Sequence, residues 1–310
     1  MMKRKAVKND TVGISNPNKY LTKKDRFYLS LCYALLGVVI VIIIVPLAYV
    51  LIASFMDPVQ LANAGITFDL HKWSLEGYKR VIHDNMIWRG FFNSIVYSVA
   101  FTIISVLTTI MAAYPLSRKD FKGRKFFNTF YMITMFFGGG LMPTYLTIQN
   151  LGMINTPWAL ILPNAINVWN IILARTYYTS LPGELHEAAE LDGCSDSQYF
   201  FRIMLPVCMP IVMVLILYQF VAQWNGYFDA MIYLESENLQ PLQLVIRSLL
   251  IQNTPRPGMV SDAASVAMQA KISQLLKYST IIISSVPLFV MYPFFAKYFE
   301  KGIMIGSVKG

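Results

Sequence analysis

The stretch Glu187-Ala-Ala-Glu-Leu-Asp-Gly193, followed after nine intervening residues by Ile203-Met-Leu-Pro206, lies between two long apolar segments. Pro182 suits the first turn of a helix, and the glycine of the first motif offers the positive φ that commonly ends one. Ser195 and Gln198 have the spacing of a capping box, which predicts that a second helix starts at once and runs toward the second motif. The sequence therefore predicts two short helices that meet at a sharp bend.

The first of these helices has a distinctive surface. Glu184, Glu187 and Glu190 are spaced three residues apart, and Ala188 and Ala189 lie beside them. Residues three apart share a helix face, so the helix presents small side chains with a negative rim. This surface suits docking into a cleft of another protein, although an ordinary pair of surface helices would carry the same local pattern.

The motif as a whole resembles the EAA loop of permease subunits in bacterial ATP-binding-cassette importers, the cytoplasmic segment that docks onto the nucleotide-binding subunit. The resemblance places this coupling loop at about residues 181–206. It implies that Glu187 meets basic residues of the ATPase cleft, that Ala188 and Ala189 permit close approach, and that Gly193 sets the bend. The remaining motif positions are Ile203, Leu205 and Pro206.

The composition is that of a polytopic membrane protein, because hydrophobic residues make up 55% of the chain and charged residues 14%. Six apolar runs approach the length of about 20 residues that crosses a bilayer. They lie near Leu29–Ala53, Phe92–Ala113, Phe127–Ile148, Trp158–Tyr177, Val207–Tyr227 and Leu276–Phe295. We predict an all-α membrane protein with six transmembrane helices, in which residues 1–26 form a basic N-terminal segment and residues 27–310 the membrane domain. In the third run, Gly138-Gly-Gly140 before Met142-Pro143 should interrupt the helix.

Lysine and arginine decide the orientation. They cluster in the N-terminal segment and in the second connection, residues 118–125, which places both on the cytoplasmic side. Six spans then put both termini in the cytoplasm, and the acidic coupling loop is cytoplasmic by parity because acidic residues contribute little to topology. The net charge of +9 lies at membrane boundaries, so it favours anionic membrane lipid over nucleic acid as a partner.

The sequence offers no energy source of its own. It has no Walker A motif, no glycine-rich phosphate loop and no serine–histidine constellation. The spans lack an internal repeat and an obvious buried carboxylate or lysine, which weakens an ion-coupled secondary carrier. We expect a transport subunit, not an enzyme, with no catalytic residues, no metal site and no cofactor bound by this chain. Energy should come from a nucleotide-binding partner.

Polar and aromatic residues at membrane depth are candidates for contact with a transported molecule, because they are costly there without a partner or water. The fifth run holds Gln219, Gln223, Trp224, Asn225 and Tyr227, and the fourth holds Asn167 and Asn170. On one continuous helix, Gln219, Gln223 and Tyr227 would share a face. Amides and aromatic rings suit an uncharged polyol. The alternatives are hydrogen bonds between helices for the amides and an interfacial belt for the tryptophan.

The order of features also resembles carbohydrate-importer permeases similar to the maltose permease subunits. Trp224-Asn225 and the ending Tyr298-Phe-Glu-Lys-Gly-Ile-Met-Ile-Gly306-Ser-Val-Lys-Gly310 carry this resemblance. Asp229-Ala-Met-Ile-Tyr233 followed by Gln240-Pro-Leu-Gln-Leu resembles the branch found with complex saccharides and lipoprotein binding proteins.

This resemblance implies the type I importer permease fold and half of a pathway for an oligosaccharide or related sugar in a bacterial cell membrane. It also implies a second, related permease, two ATPase subunits that bind ATP-Mg, and an extracytoplasmic substrate-binding lipoprotein. The long outer loop at about residues 232–274 would contact that lipoprotein. Permeases for amino acids or peptides and, from a different class, ion-coupled carriers remain the alternatives.

Overall fold

The computed structural model describes residues 22–57, 61, 65, 73–252, 276–296 and 298, and the chain divides into two compact units, Met1–Ala53 and Ser54–Gly310. The described part of the first unit is essentially one helix, α1 (Lys23–Ala53). Beyond its charged first turn the helix is apolar on all sides, as expected of a membrane-spanning helix. Residues 1–21 of the predicted N-terminal segment lie outside the described residues.

The described residues of the second unit are helical almost throughout. In chain order the helices are α2 (Glu76–His83), α3 (Asn85–Ser117), α4 (Arg124–Phe136), α5 (Leu141–Asn150), α6 (Trp158–Ile161), α7 (Val168–Thr179), α8 (Glu184–Leu191), α9 (Asp196–Gln198), a π-helical turn (Tyr199–Met204), α10 (Leu205–Val207), α11 (Met209–Asn225), α12 (Phe228–Tyr233), a 3₁₀ turn (Glu237–Leu239), α13 (Leu242–Gln252) and α14 (Leu276–Ala296).

Helix α3 is the centre of this unit, with α7, α11 and α13 packed against it. Asp84 caps its start, where the side chain accepts hydrogen bonds from Met86 N at 2.8 Å and Ile87 N at 3.4 Å. The buried face of α3 carries many small residues, which let neighbouring helices approach closely. At Gly90, an added Cβ would lie 3.0 Å from Val245 Cγ2. The glycine therefore allows α13 to lie directly on α3.

Two of the expected spans are broken. The predicted interruption of the third run is confirmed, because α4 and α5 are separated at Phe137–Gly140 and Gly140 has a φ of +81°. The fourth run divides into α6 and α7, and Asn167 caps the second piece.

Three described helices, Lys23–Ala53, Asn85–Ser117 and Leu276–Ala296, are long and apolar enough to cross a membrane. The pair Asp196–Val207 and Met209–Asn225, bent by 79°, would make a fourth. Six spans with cytoplasmic termini remain a prediction.

The second unit has two ends, joined by α3 and α11 running in opposite directions. At one end, Tyr114 of α3 meets Phe200 with ring centroids 4.9 Å apart. At the other, Phe91 of α3 meets Trp224 of α11 at 5.6 Å. We call these the near end, which carries Gly193, and the far end.

The connection predicted as a long outer loop begins as ordered structure. After α12, residues 234–241 run along the start of α3, where Asn93 Nδ2 donates to Asn238 O at 2.8 Å and Tyr97 OH donates to Leu239 O at 3.1 Å. Helix α13 follows, and Ser94 Oγ accepts from its first amide, Leu242 N, at 2.8 Å. Residues 253–275 of the predicted loop lie outside the described residues.

Candidate functional site

The segment predicted to be a coupling loop has the bend that its sequence predicts. Helix α8 ends at Leu191, and Gly193 takes a φ of +75°, with its amide donating to Glu190 O at 3.0 Å. The next helix starts with a complete capping box: Ser195 N donates to Gln198 Oε1 at 3.0 Å, and Gln198 N donates to Ser195 Oγ at 3.4 Å. Both predictions are confirmed. The turn is set locally, by one left-handed residue and one reciprocal cap.

The exposed face of α8 differs in detail from the expected one. Glu187 and Ala188 are exposed, whereas Ala189 is only 5% exposed and packs in the near-end core with Tyr199. Leu191, which the sequence reasoning did not single out, is 89% exposed beside the bend. An exposed apolar side chain in that position is a candidate contact that a docking protein could bury. Its signal in the sequence is a leucine directly before the Asp-Gly that ends the helix.

The second half of the coupling loop faces inward. Ile203 and Leu205 are half-buried against the near-end core, while Pro206 is exposed. Between the capping box and α10, the chain winds as a π-helical turn from Tyr199 to Met204. These positions therefore anchor the bend on the bundle. Direct contact between Ile203, Leu205 or Pro206 and a partner stays a prediction.

His186, also missed from the sequence, ties the two short helices together. Its Nε2 lies 3.7 Å from Asp196 Oδ1 and its Nδ1 lies 3.8 Å from Glu190 Oε2. The ring also packs edge-on against Tyr199, with centroids 4.7 Å apart. Tyr114 OH on α3 donates to Asp196 Oδ1 at 3.4 Å. These contacts therefore join α8 to α9 across the bend and join the bend to α3.

A groove of about 580 Å³ lies between α8 and the connection that follows α3. Arg118, Lys119 and Arg124 line one side, and Glu187 lines the other. Arg118 binds Asp120 with two hydrogen bonds, of 3.0 and 3.1 Å, and these hold the pKa of that carboxyl below its usual value. Glu187 forms no ion pair with any described residue, so its carboxylate is available to a basic partner.

Two of the predicted pathway residues are buried. Gln219 is 4% exposed and its Nε2 donates to Ser105 Oγ of α3. Trp224 is 1% exposed, and its Nε1 donates to Ser284 O of α14 at 3.0 Å. Both contacts join helices. For Gln219 this is the alternative role that the sequence left open, whereas Trp224, whose alternative was an interfacial belt, is buried between helices instead. Contact of either residue with a transported molecule stays a prediction.

The remaining residues of the fifth run are more open. Gln223 is half-buried, and its amide makes no hydrogen bond with a described residue. Asn225 is exposed and donates to Val221 O at 3.0 Å. The expectation of one continuous helical face through Tyr227 is wrong, because Gly226 is extended at φ −70° and ψ 125° and α11 ends at Asn225. Tyr227 lies instead at the start of α12, 41% exposed.

The fourth-run asparagines lie around the start of α7. Asn167 is exposed, and its Oδ1 accepts from Asn170 N at 3.1 Å, so it caps the helix. Asn170 is buried. Nearby in sequence, Asn164 Nδ2 donates to Asp229 Oδ2 of α12 at 2.7 Å. A role for Asn167 or Asn170 in the pathway stays a prediction.

Arg247 of α13 also lies at the far end. Its Cζ lies 4.8 Å from the centroid of the Tyr227 ring, and its Nη1 lies 2.6 Å from Met231 Sδ. The sequence reasoning treated this residue as part of a loop, because the contact depends on α13 folding back onto α3. Among the residues described, no group of three or more His, Cys, Asp or Glu side chains could hold a metal ion.

The described residues of the second unit form a bundle of apolar and broken helices with an exposed acidic bend, as expected of a membrane-embedded transport subunit. The family described as binding-protein-dependent transport system inner membrane component matches residues 12–239. The chain belongs to this family, so it is a multi-pass inner-membrane permease subunit that works with a substrate-binding protein and an ATPase. The resemblance to ATP-binding-cassette importer permeases is confirmed, and the family favours an importer over an ion-coupled carrier.

Individual proteins are similar along nearly the whole chain. The polygalacturonan/rhamnogalacturonan transport system permease protein YtcP of Bacillus subtilis (strain 168) is 32% identical, over 93% of this chain and 100% of that protein. Protein LplC of the same organism is 36% identical, over 93% of this chain and 97% of that protein. A crystal structure of a bacterial ABC transporter involved in the import of the acidic polysaccharide alginate contains a similar chain, with a TM-score of 0.77 and 27% identity, covering 90% of this chain and 99% of that one.

Proposed function

We propose that this chain forms half of the translocation pathway of a type I importer for an oligosaccharide or related sugar. A second, related permease would supply the other half. One of two ATPase subunits would dock on the near end of this chain and the other on its partner, and a substrate-binding lipoprotein would deliver sugar at the far end. The names of the similar proteins, which include a polygalacturonan/rhamnogalacturonan permease and an alginate importer, support a saccharide. The chain itself binds no cofactor, and ATP-Mg belongs to the ATPase.

The exposed bend at Gly193 carries this proposal. Glu187 and Ala188 face outward with Leu191, while His186, Asp196 and the core hold the bend from behind. This arrangement presents a small, rigid, partly acidic surface that a cleft in the ATPase can enclose. Closure of the ATPase pair on ATP would draw this loop and its counterpart together and rock the attached helices from inward-open to outward-open.

The far end would meet the binding protein. Residues 234–241 are held against the start of α3 by Asn93 and Tyr97, and Asn155 Oδ1 accepts from Glu235 N at 3.1 Å and Ser236 N at 2.9 Å. The third and fifth connections are thereby joined into one surface. A fixed surface of this kind suits a partner that must be recognised before sugar is released.

The test is affinity purification of the tagged chain from native membranes in mild detergent, beside Gly193→Val and a matched control, Gly183→Val. An added Cβ meets nothing within 4 Å at either glycine. Of these two glycines, Gly193 has a positive φ of +75°, whereas Gly183 has a φ of −60°. We therefore expect wild type and Gly183→Val to bring down a second permease and an ATPase. Gly193→Val should lose the ATPase and transport but remain in the membrane, because a β-branched residue is strained at positive φ.

Two results would contradict the proposal. Recovery of the chain alone, under conditions that preserve other importers, would remove the ATPase as its energy source. Normal uptake by Gly193→Val would show that the bend is not the docking site, even if the chain belongs to an importer. A loss of ATPase in both glycine variants would mean that added bulk, rather than backbone strain, disrupts the contact.

A further inference from the structure

The far end contains a charged side chain, Arg247, that contacts an aromatic ring. Arg247 stacks over Tyr227 with its Cζ 4.8 Å from the ring centroid, and its Nη1 reaches Met231 Sδ. Tyr227 and Met231 are one helical turn apart, joined by the bond from Met231 N to Tyr227 O at 2.9 Å. We call these three residues the far-end cluster. They bring α12 and α13 together beside the end of α11.

The charge of Arg247 is not neutralised within the described part of the chain. Its two partners are an aromatic ring and a thioether, and it forms no ion pair with a described residue. Asp229, the carboxylate of the same short helix, is instead hydrogen-bonded to Asn164. The guanidinium of Arg247, which is only half-buried, is therefore available to an anionic ligand that reaches the far end.

The geometry of the far-end cluster indicates which anionic group Arg247 can bind. The guanidinium lies over the Tyr227 ring, and a guanidinium that stacks on an aromatic ring keeps the N–H groups along its edge available to other partners. A guanidinium has five such donors, and only one is directed at Met231, whose sulfur is a weak acceptor. The free pairs of donors match the two oxygens of a carboxylate in a bidentate bond.

The surroundings of the cluster suit a sugar. Gln223 and Asn225 lie just before Tyr227 on the last turn of α11, and both are at least partly open to solvent. Their amides can exchange hydrogen bonds with hydroxyl groups. Tyr227 and Met231 are themselves exposed and supply an apolar surface beside the cation. Groups able to bind hydroxyls, an apolar sugar face and a carboxylate thus lie at the end of α11, on α12 and on α13.

We infer that this pathway takes saccharides that carry carboxylates, and that Arg247 binds a uronate carboxylate as the sugar passes the far end. The inference rests on the proposed function, since it names the chemical class of the sugar. Arg247 would orient the sugar and exclude neutral analogues, because a cation left unpaired in the pathway is unfavourable. Tyr227 and Met231 fix the direction in which its donors point.

The test uses the whole complex, with its binding protein, in proteoliposomes. Uptake is measured for trimers of galacturonate and of mannuronate and for the neutral trimers made from each by reduction of the carboxyl groups. We compare wild type with Arg247→Gln, Arg247→Lys and a control, Arg80→Gln, which removes an exposed arginine already paired with Glu76 at 2.9 Å. The binding protein is the same in every assay, so a difference between variants reports on the permease.

We expect wild type and Arg80→Gln to take up an acidic trimer in preference to its neutral product. Arg247→Gln should lose about tenfold or more of that uptake, the loss expected for a charge-assisted bidentate bond. Arg247→Lys should fall between them, because it keeps the charge but loses the planar pair of donors. Copurification of the second permease and of the ATPase should be the same for all four proteins.

Several outcomes would overturn the inference. If wild type takes up only neutral trimers, or if Arg247→Gln takes up acidic trimers normally, then Arg247 binds no carboxylate of the sugar. If Arg247→Gln loses acidic and neutral uptake equally, or loses the second permease, its partner is a protein or lipid anion. These results leave the importer proposal standing, whereas failure to recover any ATPase with wild type would remove both.

Discussion

The leucine beside the bend gives the sharpest prediction about coupling. Leu191 is 89% exposed at the end of α8, so it contributes almost nothing to the core of this chain. Full burial of a leucine side chain in a partner is worth about 1.5–3 kcal/mol. Truncation to alanine removes most of that area, so we expect Leu191→Ala to cost about 2 kcal/mol of docking free energy. That cost corresponds to about 30-fold in the dissociation constant.

The assay is equilibrium binding of the purified ATPase subunit to the permease pair held in nanodiscs, with the melting temperature of each permease measured in parallel. Leu151→Ala is the matched control, because Leu151 is also largely exposed but lies in the third connection. We expect the control to bind the ATPase like wild type, and both variants to melt like wild type. A change below about threefold for Leu191→Ala, which is less than 0.7 kcal/mol, would refute the idea that this leucine is buried on docking.

Three further predictions concern side chains of α11. Trp224→Ala should lower the melting temperature of the solubilised complex strongly, since loss of a buried tryptophan costs about 3–5 kcal/mol; Trp224→Phe, which loses only the bond to Ser284 O and some area, should lower it less. Equal melting of the two variants would contradict this order. Gln219→Ala should also lower the melting temperature, because it leaves the buried Ser105 without its donor. Gln223→Ala should leave stability unchanged and weaken sugar-stimulated ATP hydrolysis, and an unchanged dependence on sugar concentration would assign Gln223 a purely structural role.

The features that could be predicted from the sequence are those whose causes are local. The bend at Gly193 and the cap at Ser195 depend on residues within a few positions, so their spacing was sufficient. The same is true of the break at Gly140, where three glycines precede Met142-Pro143. Each of these signals is a backbone preference that no distant contact needs to support.

The features that could not be predicted depend on distant partners. Gln219 bonds to a residue 114 positions earlier in the chain, and no pattern in α11 distinguishes it from Gln223. Arg247 reaches Tyr227 only because α13 folds back onto α3, where Gly90 leaves room for it. Periodicity describes which residues share a face of one helix, but not which helix that face will meet.

The packing of α3 and α11 explains how an event at the near end can reach the far end. Tyr114 and Phe91 are contact points at the two ends of α3, and Gln219 joins α11 to Ser105 between them. Helix α11 has 17 residues and is therefore about 25 Å long. Because the two helices are packed along this length and joined by a buried polar contact, they resist bending independently of each other. A displacement of the coupling loop that preserves these contacts therefore moves Trp224 and the start of α12 with it. The far-end side chains Gln223 and Asn225, which we propose meet the sugar, then need no separate signal, since they lie on α11 itself.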